Sequence, residues 1–178
     1  MPSSELPSPA QGAEQPVAAP AFERPDHRDP VMRLERQALE VVIQQPRRLQ
    51  DEQWQAFYEA RFMAPAHAAV HDGIVAASSA GASATSWVEV IRDEVPEQLR
   101  GFVSELAVTS IPASDEHSLN RYCADIINGL IELQITHRKA ELIGRLRRAE
   151  MEPEGEEYAQ INRELMELEM RRRILRGS

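Results

Sequence analysis

Two histidines of the chain have a spacing that would let them share a metal ion. His67 and His71 are four residues apart, and Asp72 follows directly. Histidines at this spacing lie on one side of a helix and can bind the same ion. The stretch lacks the glutamate of an HExxH motif, and no CxxC pair supplies further ligands. A small metal-dependent helical hydrolase is therefore one hypothesis, and two ordinary helix residues are the simpler interpretation.

Cys123 is the one thiol of the chain, with His117 about two helical turns upstream and Asp125 nearby. A nucleophilic cysteine needs a lowered pKa and a base within reach. A cysteine on the apolar side of a long helix more commonly packs as a small hydrophobe. The carboxylates lie mostly on the predicted helix exteriors, without a cleft that would separate their pKa values. We therefore expect no catalytic residue, no metal and no cofactor in this stretch.

Composition limits the remaining classes of function. The chain has 178 residues, 42% of them hydrophobic, and a net charge of −9. This charge argues against strong direct nucleic-acid binding, which needs a basic surface. We expect neither a membrane span nor a signal peptide, and a single cysteine fits a reducing cytoplasm. Lys139 is the only lysine among 20 basic residues, and this preference for arginine suggests a high-GC bacterium.

The first 29 residues predict a linker. They contain six prolines among Ala, Ser, Gln and Glu, and such a composition buries too little apolar surface to offset the loss of backbone entropy. A linker at this position indicates that the sequence is the C-terminal part of a longer protein.

The following residues predict helices only. Asp29 is a plausible N-cap for a first helix over 30–45, which Pro46 ends. A second helix begins at Asp51 and has one aromatic stripe, predicted to be core rather than a base-stacking platform: Trp54, Phe57, Tyr58 and Phe62. Further helices are expected over 65–79, after a capping box of Ser86 and Glu89, and from Pro96. The expected fold is all-α, with a five-helix-type bundle over 30–114, and a long helix and C-terminal helical hairpin over 115–178.

The last helix has two apolar stripes. The first comprises Tyr158, Ile161, Leu165, Leu168 and Leu175, and the second, on nearly the opposite side, comprises Met166, Met170 and Ile174. A helix that packs only against its hairpin partner needs one stripe. We therefore predict that the hairpin projects and docks on a partner; the alternative is that it folds back onto the bundle. The arginines of "MRRRILRG" are more typical of a charged helix end, or of a contact with an acidic partner, than of a nucleic-acid site.

Residues 35–49, "ERQALEVVIQQPRRL", resemble the start of the C-terminal domain of DnaG-type bacterial DNA primases, where E-x-x-x-L-x-x-x-[LIV]-x-x-P opens a helical bundle. The Pro-rich linker, the long helix with "LIELQITHRKAELIGRL" and the closing helix with "YAQINRELMELEMRRR" agree with that family. The resemblance covers residues 30–178.

The resemblance implies a protein-interaction module that docks the primer-synthesising enzyme on the replicative DnaB-type helicase at the bacterial replication fork. The implied contact is the C-terminal hairpin: Tyr158, Ile161, Leu165, Met166, Leu168, Met170 and Ile174. It also implies that the acidic tail of single-stranded-DNA-binding protein binds near Arg33 and Arg36. Zinc and magnesium would belong to other domains of the parent primase. The N-terminal domain of a replicative helicase and a homodimeric helical scaffold are the alternatives.

Overall fold

The chain folds into seven α-helices, seen in a computed structural model that describes residues 22–23, 25–81, 86–148 and 155–177. Across those ranges no strand is present, which confirms the predicted all-α class. The helices are α1 Pro30–Gln44, α2 Asp51–Tyr58, α3 Pro65–Ser79, α4 Trp87–Glu94, α5 Arg100–Val108, α6 Glu116–Arg148 and α7 Glu156–Gly177. Short 3-10 turns cover Pro46–Arg48 and Glu97–Leu99. None of the described helices has the length and apolarity needed to cross a bilayer.

Some of the helix starts follow local signals in the sequence, and one predicted signal does not form. Asp29 caps α1 as predicted, because its Oδ1 accepts hydrogen bonds from the backbone N–H of Val31 at 2.7 Å and of Met32 at 3.2 Å. The capping box predicted at α4 does not form. Ser86 is the N-cap residue, but its side chain makes no capping hydrogen bond. The Glu89 carboxylate instead accepts from Arg92 at 3.1 Å.

The end of the predicted linker belongs to the fold. Phe22 packs against the hydrophobic core, and Asp26 forms a turn in which its side chain accepts from the backbone N–H of Arg28 at 2.9 Å. One aromatic side chain supplies the apolar burial that the surrounding prolines lack. Residues 1–21 of the predicted linker lie outside the described part of the chain.

The bundle core is built around α1 and an aromatic cluster. Leu39, Val41 and Val42 of α1 are completely buried, so this side of the helix lies inside the bundle. Phe57 is also fully buried, and Trp54 stacks on Tyr58 with ring centroids 5.3 Å apart. The aromatic stripe is therefore core, as predicted, and its rings do not form an open stacking platform.

The long helix α6 serves two structures in succession. Its first half buries Cys123, Ile127 and Leu130 in the bundle core. Its second half pairs with α7. The bundle core therefore continues past the predicted limit at residue 114, and one unbroken helix of 33 residues joins the bundle to the hairpin.

Candidate partner-binding surface

The hairpin is antiparallel, and ion pairs between its two helices show its register. Arg138 donates from Nη2 to Glu164 at 3.0 Å, and Arg145 donates from Nη2 to Glu157 at 2.6 Å. These pairs flank Leu142 on α6 and Ile161 on α7 and show that the two residues lie at the same level. The two helices are therefore held in one alignment, and one face of α7 is turned toward α6.

Further contacts near the base of the hairpin are also ionic. Lys139 of α6 donates to Glu169 of α7, and this bond holds the pKa of the Glu169 carboxyl below its ordinary value. The hydrogen bond to Glu164 raises the pKa of the Arg138 guanidinium. Arg176 donates to Glu132 at 2.8 Å. These charged side chains pair with each other between α6 and α7. Those that belong to α7 lie on the sides of that helix that face α6.

The first apolar stripe of α7 lies against its own chain. Ile161 is only 2% exposed, Leu165 is partly buried, and Leu168 and Leu175 pack against the hydrophobic core. Tyr158, at the outer end of the helix, keeps 36% of its surface exposed. Ile161 is therefore covered by its own chain in the folded hairpin, and Leu165, Leu168 and Leu175 lie on the same inward side of α7.

The second stripe of α7 faces outward. Met166 is 73% exposed, Met170 is 65% exposed and Ile174 is 64% exposed. Large hydrophobic side chains with this exposure, in a row along one helix, form the kind of patch that marks a protein contact. Methionine suits such a contact because its flexible, polarizable side chain adapts to a partner surface. The first stripe thus faces the chain's own core and the second stripe faces outward. The sequence predicted both stripes, but it did not show which of them is exposed.

A cleft of about 840 Å³ lies where the hairpin leaves the bundle. The end of α2 and the segment after it form one wall, and α6 and α7 form the other. The side-chain amide of Gln134 on α6 makes two hydrogen bonds to the main chain of Arg61. It accepts from the Arg61 N–H at 2.9 Å and donates to the Arg61 carbonyl at 2.9 Å. This pair of bonds ties α6 to the segment after α2 at the base of the hairpin.

The two arginines predicted to meet the tail of single-stranded-DNA-binding protein have different surroundings. Arg33 is exposed on α1. The side chain of Arg36 is 13% exposed and bonds Glu40 at 2.8 Å and Glu105 at 2.9 Å. Its guanidinium also lies 5.6 Å from the centre of the Phe102 ring. Arg36 is therefore a link between α1 and α5, and Arg33 is the more accessible of the two.

His67, His71 and Cys123, which were considered for metal binding or catalysis, are buried in the bundle. His71 Nε2 lies 2.8 Å from the Phe57 carbonyl oxygen, and His67 Nδ1 lies 2.9 Å from Glu35 Oε2. The two rings are thus directed to different partners, and the described residues include no group of three side chains suited to a metal ion. Burial raises the pKa of the Cys123 thiol, which is opposite to the shift that a nucleophile needs.

Sequence reasoning missed the buried carboxylate of Glu35. It accepts from His67 and from the backbone N–H groups of Met63 and Ala64 at the start of α3. A buried polar group is tolerated when hydrogen bonds of this kind satisfy it. The sequence does show a glutamate among the apolar residues of the first helix, directly after Leu34. Its three hydrogen-bond donors, however, lie about 30 residues further along the chain.

Comparison with known proteins identifies the family to which these features correspond. The profile of the family described as DNA primase DnaG DnaB-binding matches residues 35–162. The chain is similar to the DNA primases of Mycobacterium leprae, with 34% identity over 90% of the chain, and of Mycobacterium tuberculosis strain H37Rv, with 33% identity over 93% of it. It spans 26% and 27% of those two relatives.

A solved structure has the same fold. It is the helicase binding domain of primase from Mycobacterium tuberculosis, with a TM-score of 0.65 and 30% sequence identity. The similarity covers 81% of this chain and 90% of that domain. The likeness therefore extends over most of the bundle and hairpin.

Proposed function

The chain belongs to the family of DnaB-binding domains of DnaG-type DNA primases, and on that premise we propose that it docks a primase on the replicative DnaB-type helicase. The relatives are primases, so the alternative of a helicase N-terminal domain has no support. The proposal extends to the parent protein, which would synthesise primers through other domains in the bacterial cytoplasm. This stretch would contribute the contact that holds primer synthesis at the fork.

The observation that carries the proposal is the outward stripe of α7. Met166 and Met170 are exposed in a helix whose opposite side already packs against α6. The hairpin therefore presents apolar surface beyond what its own packing uses, and burial of that surface by a partner is favourable. A homodimer could bury the same stripe, so oligomeric state at high concentration is measured alongside helicase binding.

Replacing both methionines by aspartate is expected to weaken helicase binding by about 100-fold, because two charges would be desolvated at the centre of an apolar contact. Binding of the purified Met166→Asp/Met170→Asp chain to the cognate DnaB-type helicase is measured by biolayer interferometry, and circular dichroism checks the fold.

The matched control is Val108→Asp, which places a charge on an exposed hydrophobic residue of the bundle and should change the affinity less than about twofold. Equal binding by the folded double variant and the parent would show that the outward stripe is not the helicase contact, and a parent chain that does not bind the helicase would remove the proposal. Dimerisation of the parent that the same two substitutions abolish, with no helicase binding, would favour the homodimeric scaffold.

The acidic tail of single-stranded-DNA-binding protein remains a proposed second partner, resting on family resemblance and on the exposed position of Arg33. We expect Arg33→Glu to weaken binding of a fluorescently labelled tail peptide several-fold at low salt, since it replaces attraction by repulsion. Fluorescence anisotropy measures the effect. Arg100→Glu, at an exposed position on α5, is the control, and no binding of the peptide by the parent chain would refute this partner.

A further inference from the structure

The outward face of α7 has a charge pattern as well as an apolar stripe. Arg163, Met166, Met170 and Arg173 follow one another at spacings of three, four and three residues. This is the spacing that keeps side chains on one seam of a helix that packs along another helix. All four residues are exposed. We call this row the Arg-Met-Met-Arg ridge.

The two arginines of the ridge are available to a partner. The salt bridges of the described α7 residues involve Glu157, Glu164, Glu169 and Arg176, which all pair with α6. Within the described part of the chain, neither Arg163 nor Arg173 takes part in a salt bridge. Glu169, one turn before Arg173, already accepts from Lys139. The ridge thus ends in a guanidinium group on each side of the two methionines.

We propose that the ridge recognises a helix of the partner whose apolar face is bracketed by two carboxylates. This inference rests on the proposed function and specifies the chemistry of the helicase surface. Arg163 and Arg173 are ten residues apart, or about 15 Å along the helix axis. A helix that packs along the ridge therefore presents its two acidic side chains about three turns apart, with small or aliphatic residues between them to receive Met166 and Met170.

The surroundings of the ridge favour a protein over a nucleic acid. Arg172 is partly buried, and Arg176 is bonded to Glu132, so few cations of "MRRRILRG" remain on the ridge side. Apolar side chains occupy the centre of the face, where phosphate contacts would need further cations. The whole chain is also acidic, with a net charge of −9, which weakens attraction to a polyanion.

Reversing both charges of the ridge tests the proposal. We expect the Arg163→Glu/Arg173→Glu chain to bind the cognate DnaB-type helicase about 30-fold more weakly than the parent at 50 mM salt. At 0.5 M salt the difference should fall to about threefold or less, because ions screen an exposed charge contact. The control is Arg100→Glu/Arg121→Glu, which makes the same change in net charge at exposed positions of the bundle and should cost less than about twofold.

The outcomes separate this inference from the proposed function. If the ridge variant binds as well as the parent while Met166→Asp/Met170→Asp does not bind, the acidic bracket is wrong and helicase docking stands. If both pairs of substitutions leave binding unchanged, the outward side of α7 is not the contact and the ridge proposal is wrong, whereas a parent chain that does not bind the helicase would overturn the proposed function itself. A control that loses as much as the ridge variant would show a general charge effect and overturn the proposal. So would a single-stranded DNA oligonucleotide that the parent binds and the ridge variant does not.

Discussion

A chain with Glu35→Ala is expected to unfold more easily than the parent by about 3–5 kcal/mol. The substitution removes one buried carboxylate and leaves three donors without an acceptor: the N–H groups of Met63 and Ala64, and His67 Nδ1. Each unsatisfied buried donor costs about 1–3 kcal/mol. A loss of this size is a large fraction of the stability of a typical domain. It is expected here because the Glu35 side chain joins α1 to the start of α3.

Urea unfolding followed by tryptophan fluorescence measures this effect, since Trp54 and Trp87 contact each other in the bundle, with ring centroids 6.3 Å apart. Glu94→Ala is the matched control: Glu94 is exposed at the end of α4, and its loss should change stability by about 0.5 kcal/mol or less. A change below about 1 kcal/mol for Glu35→Ala would show that the carboxylate is not the acceptor that holds this corner together.

The second large effect is expected from the interior of the hairpin. Leu142 of α6 and Ile161 of α7 are both buried, and they lie apart from the bundle core. Truncating a buried Leu or Ile to Ala costs about 2–5 kcal/mol, and the remaining apolar contacts of α7 with the core come from the partly buried Leu168 and Leu175. We expect Leu142→Ala/Ile161→Ala to detach α7 from α6 while the bundle stays folded.

Helicase affinity should then fall by about 100-fold, because the binding-competent hairpin would form in only a small fraction of molecules. Hydrogen exchange measured by mass spectrometry should show rapid exchange in α7 and continued protection in α1. The control is Ile74→Ala, which truncates an equally buried residue of α3 in the bundle. It should lower global stability and leave helicase binding intact at 20 °C; equal loss of binding would mean that the hairpin is not an independent unit.

The sequence predicted the helices well because their boundaries depend on neighbouring residues. Asp29 caps α1, and a proline lies at the first position of α1 and of α3; these signals act over one helical turn. The capping box at Ser86 was wrong because Glu89 has a competing partner, Arg92, three residues along the same helix. A motif of two residues cannot show which of two acceptable hydrogen bonds will form.

The features that the sequence could not provide depend on distant contacts. The burial of Glu35 requires donors from the α2–α3 connection. The choice between the two stripes of α7 depends on the register of the hairpin, which brings together Arg138 with Glu164 and Arg145 with Glu157 across 26 and 12 residues. The role of Arg36 likewise depends on Glu105, which lies 69 residues away. Family resemblance pointed to α1 and α7 as binding helices. Which of their side chains remain exposed can be recognised only from the packing of the folded chain.

Because α6 is continuous, the number of residues between its two halves determines the side of the molecule on which α7 presents its exposed methionines. Its first half is fixed in rotation by the bundle, and its second half carries α7 on one side. Inserting or deleting a single residue between those halves would turn everything beyond by about 100° and would break the contacts of Leu168 and Leu175 with the bundle core. The methionines would then point to a different side of the molecule, so insertions or deletions at this position are compatible with the same helicase geometry only in steps of about seven residues, or two full turns.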